Sequence, residues 1–388
     1  MYYVGIDISK YKHDCFITDE HGEVFFEGTI QNNQEGFGNL LSVLNELDKD
    51  QEIRIGLEAT GHYGMNLKLF LENAHHSFSQ FNPALIRGFI RGRSLRKTKT
   101  DKIDAKSIAK YLMSVEYKPY STEFYHMYSL KSLTRLRDSF VRTRSIYMVK
   151  ITNVLDHIFP EFKAIFKDSL SKTALHILKK YPTVAAISKM RETSYDELRR
   201  VSRGKFTTGK FFDLKDKAKN TIGVSTSTFE LELTMLIDLY EDISRKIDAV
   251  EAEIIPVIQK INPPTLSIKG IGPLTSAIII AEFGDISRFS GPAAMLAFAG
   301  LEPAVSQSGK SEHFGKMVKR GSSHLRYALL NVCMPVVKFN YVFAQYYNKK
   351  IAAGKPHRVA QTHVCRKLIR VIYTLETKNI SFDQSKLR

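Results

Sequence analysis

The sequence predicts a mixed α/β domain at the amino-terminal end, followed by a mainly helical region. Short segments up to residue 81 alternate apolar and other residues with period two, as half-buried strands do, and turn residues separate them. Beyond residue 120 the apolar residues recur at spacings of three and four over long stretches, as on one face of a helix. A chain of 388 residues is long enough for two or three domains with cores of their own.

The amino-terminal elements follow the order βββαβαβα, and a turn at 19–22 joins the second and third strands as a hairpin. The predicted ranges are strands at 2–9, 14–18, 23–30, 52–58 and 76–81, and helices at 33–48 and 61–74. The last helix of the series carries the segment KTDKIDAKSIAKYL. This order is that of the ribonuclease-H-like (RuvC-like) fold, which places catalytic acids on its first strand, its fourth strand and its last helix.

Four acidic residues occupy those places. Asp7 and Glu58 lie opposite the aliphatic rows of the first and fourth strands, while Asp101 and Asp104 are three apart and share one face of a helix. Carboxylates repel a nucleic-acid backbone unless divalent cations intervene, and two Mg²⁺ ions can clamp the attacking and leaving oxygens of a phosphodiester. Alternatively, each feature alone is an ordinary turn residue or a helix cap. Their combination in this order favours a catalytic site.

The charge of the chain predicts a polyanionic partner. The formal net charge is +17, whereas residues 1–60 hold 12 Asp/Glu and 4 Lys/Arg, which leaves the rest of the chain at +25. Candidate phosphate-binding residues flank the acids of the last helix and follow the serines of a later loop. They are Arg87, Arg91, Arg93, Arg96, Lys97, Lys99, Lys310, Lys319 and Arg320. The alternative for each group is a solvated basic face.

The cysteines and the hydropathy pattern exclude several classes of protein. Cys15, Cys333 and Cys365 are scattered without a Cys-x-x-Cys pair, which argues against a zinc site or a disulfide framework and suits a reducing cytosol. No apolar run reaches 18 residues and the chain enters a strand at once. We therefore expect a cytoplasmic protein without a membrane span or signal peptide, associated with the nucleoid when it acts.

The central region is predicted to be a coiled coil with an insertion. A long helix is expected over 125–165, and a second carries a heptad whose spacings alternate between four and three. The heptad positions are Phe229, Leu233, Leu236, Tyr240, Ile243, Ile247, Val250 and Ile254. Residues 160–225 between the two helices are predicted to be a basic helical insertion. Pro256, Pro263 and Pro264 are expected to end the coiled coil.

Two segments in the last third of the chain contain candidate functional residues. Gly270-Ile271-Gly272 precedes an apolar helix and resembles a helix-hairpin-helix, whose backbone N–H groups can bind a phosphate, although an ordinary tight turn is the alternative. Further on, the segment 305–311 reads VSQSGKS in a basic context. A serine beside glycine here could be a nucleophile, and the residues alone favour a flexible Ser/Gly loop.

Taken together, the motifs resemble the DEDD transposases of bacterial insertion sequences, the insertion sequence 110 family, which is related to Piv-type DNA invertases. The resemblance covers nearly the whole chain, through GIDISK, GLEATGHY, KTDKIDAKSIA, IKGIGPLTSAIIIAEFGDISRF, LAFAGLEP, QSGKS and KRGSSHLR. It implies a RuvC-like nuclease domain at 1–120, a helical coiled-coil region with an insertion at 121–262, and a transposase domain at 263–388. The last domain would carry the catalytic serine.

The resemblance also implies the chemistry. Asp7, Glu58, Asp101 and Asp104 would hold Mg²⁺, two ions per site, with Mn²⁺ as an alternative. Ser308, the serine immediately before glycine, would attack DNA and form a phosphoserine linkage on the way to a Holliday-type intermediate. Ser306 is the second candidate, because this chain reads Ser-Gln-Ser-Gly where the family pattern is Ser-Ser-Gly.

Partners follow from the same resemblance. They are donor and target DNA, a bridge RNA that guides the recombinase by base pairing, and further copies of the chain, as a dimer that assembles to a tetramer with composite sites. Two alternatives stay open from the sequence: a Piv-like invertase without a guide RNA, and a nucleic-acid-binding protein that has lost its catalysis.

Overall fold

A computed structural model describes residues 1–48, 50–58, 63–93, 101–117, 119, 124–308, 311–318 and 321–387. It describes only the backbone for residues 84, 93, 101–103, 124–126, 303–308 and 311–316. The chain forms two compact units. Residues 1–129, 267–270 and 279–388 make up the first, and residues 130–266 and 271–278 the second.

The first unit begins with a five-stranded sheet in the order β3-β2-β1-β4-β5. Its strands are β1 (Tyr2–Ile8), β2 (Lys12–Asp19), β3 (Val24–Gln31), β4 (Ile53–Glu58) and β5 (Phe78–Phe81). The first three strands pair in antiparallel fashion, whereas β4 is parallel to both β1 and β5. All five strands were predicted, to within about two residues at most ends, because each alternates with period two. The order and sense agree with the predicted ribonuclease-H-like sheet.

Helices cover both faces of this sheet. They are α1 (Gln34–Glu46), α2 (Met65–Asn73), α3 (Pro83–Arg93) and α4 (Asp101–Ser114). On one face, strand residues such as Ile6 and Ile55 share a hydrophobic core with Leu40 of α1 and Leu67 of α2. On the other face, Phe16 packs with Ala105 and Ala109 of α4. The aliphatic row of each strand therefore faces α1 and α2, and the row with Asp7 faces α4.

The second unit is helical. Its helices are α5 (Phe124–Ile158), α6 (Phe162–Ile165), α7 (Lys172–Lys180), α8 (Val184–Ser188), α9 (Thr193–Val201), α10 (Thr208–Lys219) and α11 (Ser227–Ile261). One core joins Ile151 and Leu155 of α5 to Leu233 and Leu236 of α11 and to the short helices between them. This agrees with the predicted helical insertion at 160–225. The long helix expected over 125–165 ends earlier, at Ile158.

The two long helices of this unit contact each other, because Arg137 Nε of α5 donates a hydrogen bond of 2.6 Å to Glu251 Oε1 of α11. Every predicted heptad position of α11 is buried or half-buried, while supercoiling of the pair stays a prediction. Of the three prolines expected to end the coiled coil, Pro256 lies inside α11, which continues to Ile261 and ends before Pro263 and Pro264. Proline removes one helical hydrogen bond, and the burial of Ile254 and Ile258 on either side offsets that loss.

The carboxy-terminal part of the first unit is mainly helical, as predicted. It contains α13 (Pro292–Ala299), α14 (Ser323–Phe339), α15 (Tyr341–Ala352) and α16 (His357–Lys378), and it follows α12 (Pro273–Phe283). The segment expected to be a flexible Ser/Gly loop is instead an antiparallel hairpin of β6 (Pro303–Ser308) and β7 (Ser311–Met317). The described residues on either side pair in register from Pro303 with Met317 to Ser308 with Ser311.

No single helix among the described residues is long and apolar enough to cross a membrane. One bent pair, Ser323–Phe339 with Tyr341–Ala352, meets the same test on length and composition only, with a bend of 108°.

Candidate active site

Asp7 and Glu58 come side by side through the pairing of β1 with β4. The parallel register matches Tyr2 with Ile53 and, at its far end, Ile6 with Leu57. The next residue on each strand is Asp7 and Glu58, and both are half-buried. The two carboxylates therefore lie on adjacent strands at the same edge of the sheet.

Two glycines fix how closely α4 packs on this face. Gly5 and Gly56 are partners in the β1–β4 register, two residues before Asp7 and Glu58 respectively. A Cβ atom on Gly5 would lie 2.2 Å from the carbonyl oxygen of Ala105, and one on Gly56 would lie 3.3 Å from Cγ2 of Ile108. Since strand side chains alternate between faces, Asp7 and Glu58 point to the side that α4 covers.

The direction of α4 places its first turn toward the carboxyl ends of β4 and β5. Tyr117, just beyond the end of α4, donates a hydrogen bond of 3.0 Å from its hydroxyl to the carbonyl of Ser77, and Arg54 lies 5.4 Å from its ring centroid. Ser77 precedes β5 and Arg54 is the second residue of β4, so the end of α4 lies at the amino ends of these strands. The beginning of α4, with Asp101 and the half-buried Asp104, therefore lies toward their carboxyl ends.

The donor chemistry of this edge fits a hard divalent cation. Carboxylate oxygens are the protein ligands that Mg²⁺ and Mn²⁺ prefer, and two strand acids with a helix acid supply them from rigid elements. Among the side chains that the structure describes, no three His, Cys, Asp or Glu residues are grouped closely enough to hold a metal ion. The side chain of Asp101 lies outside this description. The identity and number of metal ions stay predictions.

A fifth acid on this face was missed by the sequence analysis. Asp14 of β2 is the cross-strand partner of Asp7, so both side chains lie on the same face of the sheet. It is only 4% exposed, and Thr29 Oγ1 of β3 donates a 2.7 Å hydrogen bond to its Oδ1. The register of the β1–β2 pair is the signal that could have revealed Asp14.

Serine candidates lie on the β6–β7 hairpin. Ser308 is the last residue of β6 and pairs with Ser311, and Ser306 pairs with His313. The side chains of these four residues lie outside the described part of the chain, so the choice between Ser306 and Ser308 stays a prediction.

Ser322, which follows Gly321, has a structural role. Ser322 caps α14 by accepting a hydrogen bond from the N–H of Leu325. Its hydroxyl also donates a hydrogen bond of 2.7 Å to Oε2 of the buried Glu282. Gly321 has a φ of +127°, and a Cβ there would lie 2.1 Å from the carbonyl oxygen of Phe298. A hydroxyl committed to a cap and a buried carboxylate is poorly suited to be a nucleophile.

Two of the predicted phosphate-binding residues are described with their side chains. Arg87 and Arg91 are exposed on α3, four residues apart. Arg87 Nε donates a hydrogen bond of 3.2 Å to the carbonyl of Pro83 in the same helix. α3 packs on α4 through Phe89 and Tyr111, whose ring centroids are 5.3 Å apart. The side chains of the remaining candidates lie outside the described part of the chain: Arg93, Arg96, Lys97, Lys99, Lys310, Lys319 and Arg320.

Family models match both ends of the chain. A DEDD, IS110-type model described as "Transposase" matches residues 4–160, and a model described as "Transposase IS116/IS110/IS902 family" matches residues 265–348. The first range contains all four predicted acids, and the second contains the β6–β7 hairpin with both serine candidates.

The individual relatives have low sequence identity to this chain, and two of the three described here align with it over nearly its whole length. The chain is 24% identical to the pilin gene-inverting protein of Moraxella lacunata, over 98% of each chain. It is 23% identical to the insertion element IS116 44.8 kDa protein of Streptomyces clavuligerus, over 96% of this chain and 94% of the relative. The 43.6 kDa protein of insertion element IS110 from Streptomyces coelicolor is 24% identical, over 61% of this chain and 60% of the relative.

Proposed function

Because the chain belongs to the IS110-type DEDD transposases, we propose that it cuts and rejoins DNA with two sets of residues, the acids of the sheet and a serine of the hairpin. The observation that carries the proposal is the common edge of β1, β4 and α4. There the glycine contacts of α4 bring its acidic first turn toward Asp7 and Glu58.

The four acids would coordinate divalent cations. Asp7, Glu58, Asp101 and Asp104 would bind Mg²⁺, which supplies charge neutralisation and activation of the scissile phosphodiester. The rigid sheet orients two of the carboxylates, and α4 orients the other two. Asp14, held by Thr29, adds a further negative charge beside Asp7 and favours cation binding at this edge.

A serine hydroxyl would be the nucleophile. Oγ of Ser308 attacks the phosphorus, the bond from phosphorus to the 3′ oxygen breaks, and a phosphoserine linkage and a free 3′ hydroxyl result. The proton that the serine loses balances the one that the 3′ oxygen gains. The 3′ hydroxyl of one strand then attacks the linkage of its partner strand, which exchanges strands through a Holliday-type intermediate. Serine needs activation at its ordinary pKa, and the cations of the acid site would provide it.

The choice of DNA sequence has two candidate sources. A bridge RNA would select donor and target by base pairing, with the protein holding backbones through its basic residues. The second candidate is an invertase that reads DNA without a guide, which the similarity to the pilin gene-inverting protein over 98% of each chain favours. RNA of defined length that co-purifies with the protein, and whose removal abolishes recombination, would favour the first.

The test is a junction assay in cells that carry the protein with its native flanking DNA. Wild type is expected to yield excised circles and rejoined ends, detected by PCR, whereas Asp104→Asn and Ser308→Ala yield none. Ser306→Ala is the matched control for the serine, and Asp242→Asn, an exposed acid paired with Lys246 on α11, is the control for the acid. Junctions from Ser308→Ala but not from Ser306→Ala would move the nucleophile to Ser306. Junctions from Asp104→Asn would contradict the acid site.

A further inference from the structure

The helical unit carries a shallow arginine hollow of about 430 Å³, lined by Asp196, Arg199, Arg200, Arg203 and Gly204. Its residues belong to the last turns of α9 and the turn that follows it. The three arginines are exposed, so their guanidinium groups are accessible to a ligand. With a single acid among them, the hollow has an excess of positive charge.

These arginines have no ion-pair partner among the described carboxylates. No described carboxylate lies within 4.0 Å of the guanidinium groups of Arg199, Arg200 or Arg203, even though Asp196 precedes two of them by three and four residues. In contrast, three lysines of the same unit each pair with an acid. Lys163 lies 2.7 Å from Asp156, Lys179 lies 3.6 Å from Asp238, and Lys180 pairs with Glu197.

The second acid of α9 is turned away from the hollow. Glu197 pairs with His176 of α7, 2.8 Å from its Nε2, and with Lys180 at the end of the same helix. It therefore neutralises the α7 side of α9. This leaves Asp196 as the only acid that lines the hollow, against three cations.

Arg203 adds an independent observation. Its backbone has a φ of 53°, in the left-handed region where Gly or Asn is preferred, and it directly precedes Gly204 with a φ of 79°. A residue with a side chain is disfavoured in this region relative to glycine. The helix-ending turn alone does not require an arginine, whereas a ligand that contacts its side chain would compensate for this cost.

We propose that the arginine hollow binds the phosphodiester backbone of the DNA substrate, as an anchor separate from the acid edge. This inference rests on the proposed DNA-recombining function. Guanidinium groups form paired hydrogen bonds to phosphate oxygens and lose less hydration than ammonium groups do on binding. Arg199, in the last turn of α9, and Arg203, in the turn that follows, both line the hollow and can contact phosphates of one strand. Such contacts carry no base sequence, so the anchor serves any DNA.

The test compares two triple variants of the full chain that remove the same charge. In one, Arg199, Arg200 and Arg203 are replaced by Gln, and in the control Lys163, Lys179 and Lys180 are replaced by Gln. Binding of a random-sequence DNA duplex is measured by fluorescence anisotropy across a salt series, and a structured RNA of the same length is measured in parallel. Thermal melting checks that both variants are folded.

We expect the arginine variant to bind the duplex about tenfold to hundredfold more weakly, with the slope of log K against log salt reduced by about 2 to 3. The control variant should lose clearly less, because its lysines are already neutralised. Equal losses in both variants would overturn the anchor, since net charge alone would then explain binding. A loss confined to the RNA would also overturn it and assign the hollow to RNA.

The failure of the function and the failure of the anchor are distinguishable. If wild type binds neither probe, the DNA-recombining function itself is contradicted, and the anchor with it. If wild type binds the duplex and the arginine variant matches it, only the anchor is wrong.

Discussion

The acids and the serine candidates are held by two different kinds of structure. Asp7 and Glu58 lie at the carboxyl ends of the neighbouring strands β1 and β4 in a five-stranded sheet that has helices on both faces. Ser308 ends one strand of a two-stranded hairpin, a structure that is marginally stable without support from its surroundings. The difference teaches that the acid edge is preorganised by a core, whereas the hairpin depends on what anchors its ends.

The largest effect is expected from Gly5→Ala. The added methyl group would meet the carbonyl of Ala105 at 2.2 Å, so α4 must move off the sheet. We expect a loss of about 2 to 4 kcal/mol in the free energy of unfolding, measured by urea denaturation, and no junctions in cells. Gly38→Ala on α1 is the control, because nothing lies within 4 Å of its added Cβ. Unchanged stability of Gly5→Ala would show that the acid edge is looser than its packing indicates.

A smaller effect is expected where the hairpin joins α14. Ser322→Ala removes the helix cap and leaves Oε2 of Glu282 without this donor, which should cost about 1 to 2 kcal/mol. Since Ser322 follows β7 by five residues, we expect faster hydrogen exchange in β6 and β7 and fewer junctions, with the sheet unaffected. Ser323→Ala is the neighbouring control. Equal exchange in both variants would mean that the hairpin is anchored elsewhere.

The smallest effect is expected on the pH dependence of the stability of the sheet. Burial of His13 against Phe37 lowers the pKa of its imidazole below the ordinary value of about 6.5. The unfolded chain therefore binds a proton at higher pH than the folded chain does. The stabilising contribution of neutral His13 is complete above about pH 6.5 and decreases as the pH falls toward the folded pKa, by at most about 1.4 kcal/mol per pH unit.

His13→Phe should flatten this part of the pH profile of stability in urea denaturation, because phenylalanine keeps the ring but binds no proton. His21→Phe, at an exposed position in the β2–β3 turn, is expected to leave the profile unchanged. A profile that keeps its slope in His13→Phe would assign the pH dependence to other groups.

The sequence was most informative about the strands, where the alternation of apolar and other residues with period two decides the structure. Alternation predicted β1 and β4 and placed Asp7 and Glu58 opposite the aliphatic rows, and the pairing register agrees. It did not reveal Asp14, because a cross-strand partner is defined by the pairing of two strands and not by either one. The glycines beneath α4 were also not predicted, since close approach of a helix depends on tertiary packing.

The middle and end of the chain show the limits of local rules. Pro256 was expected, with Pro263 and Pro264, to end the coiled coil, yet it lies inside α11, where Ile254 and Ile258 are buried and the helix continues to Ile261. The Ser/Gly segment was expected to be a flexible loop because its residues are polar, and it forms β6 and β7 instead. Burial and strand pairing decide such segments, and neither is visible in composition.

The close contact of α4 with Gly5 and Gly56 has a consequence for how the family can vary. A reaction at phosphorus tolerates displacements of its catalytic groups of only about 0.5 Å. Under the proposed function, one methyl group at position 5 would displace both acids of α4 at once, without changing any acid. Because glycine has no Cβ, Gly5 and Gly56 thus set the spacing between the strand acids and the helix acids. A sequence that keeps all four acids but loses these glycines is expected to be inactive.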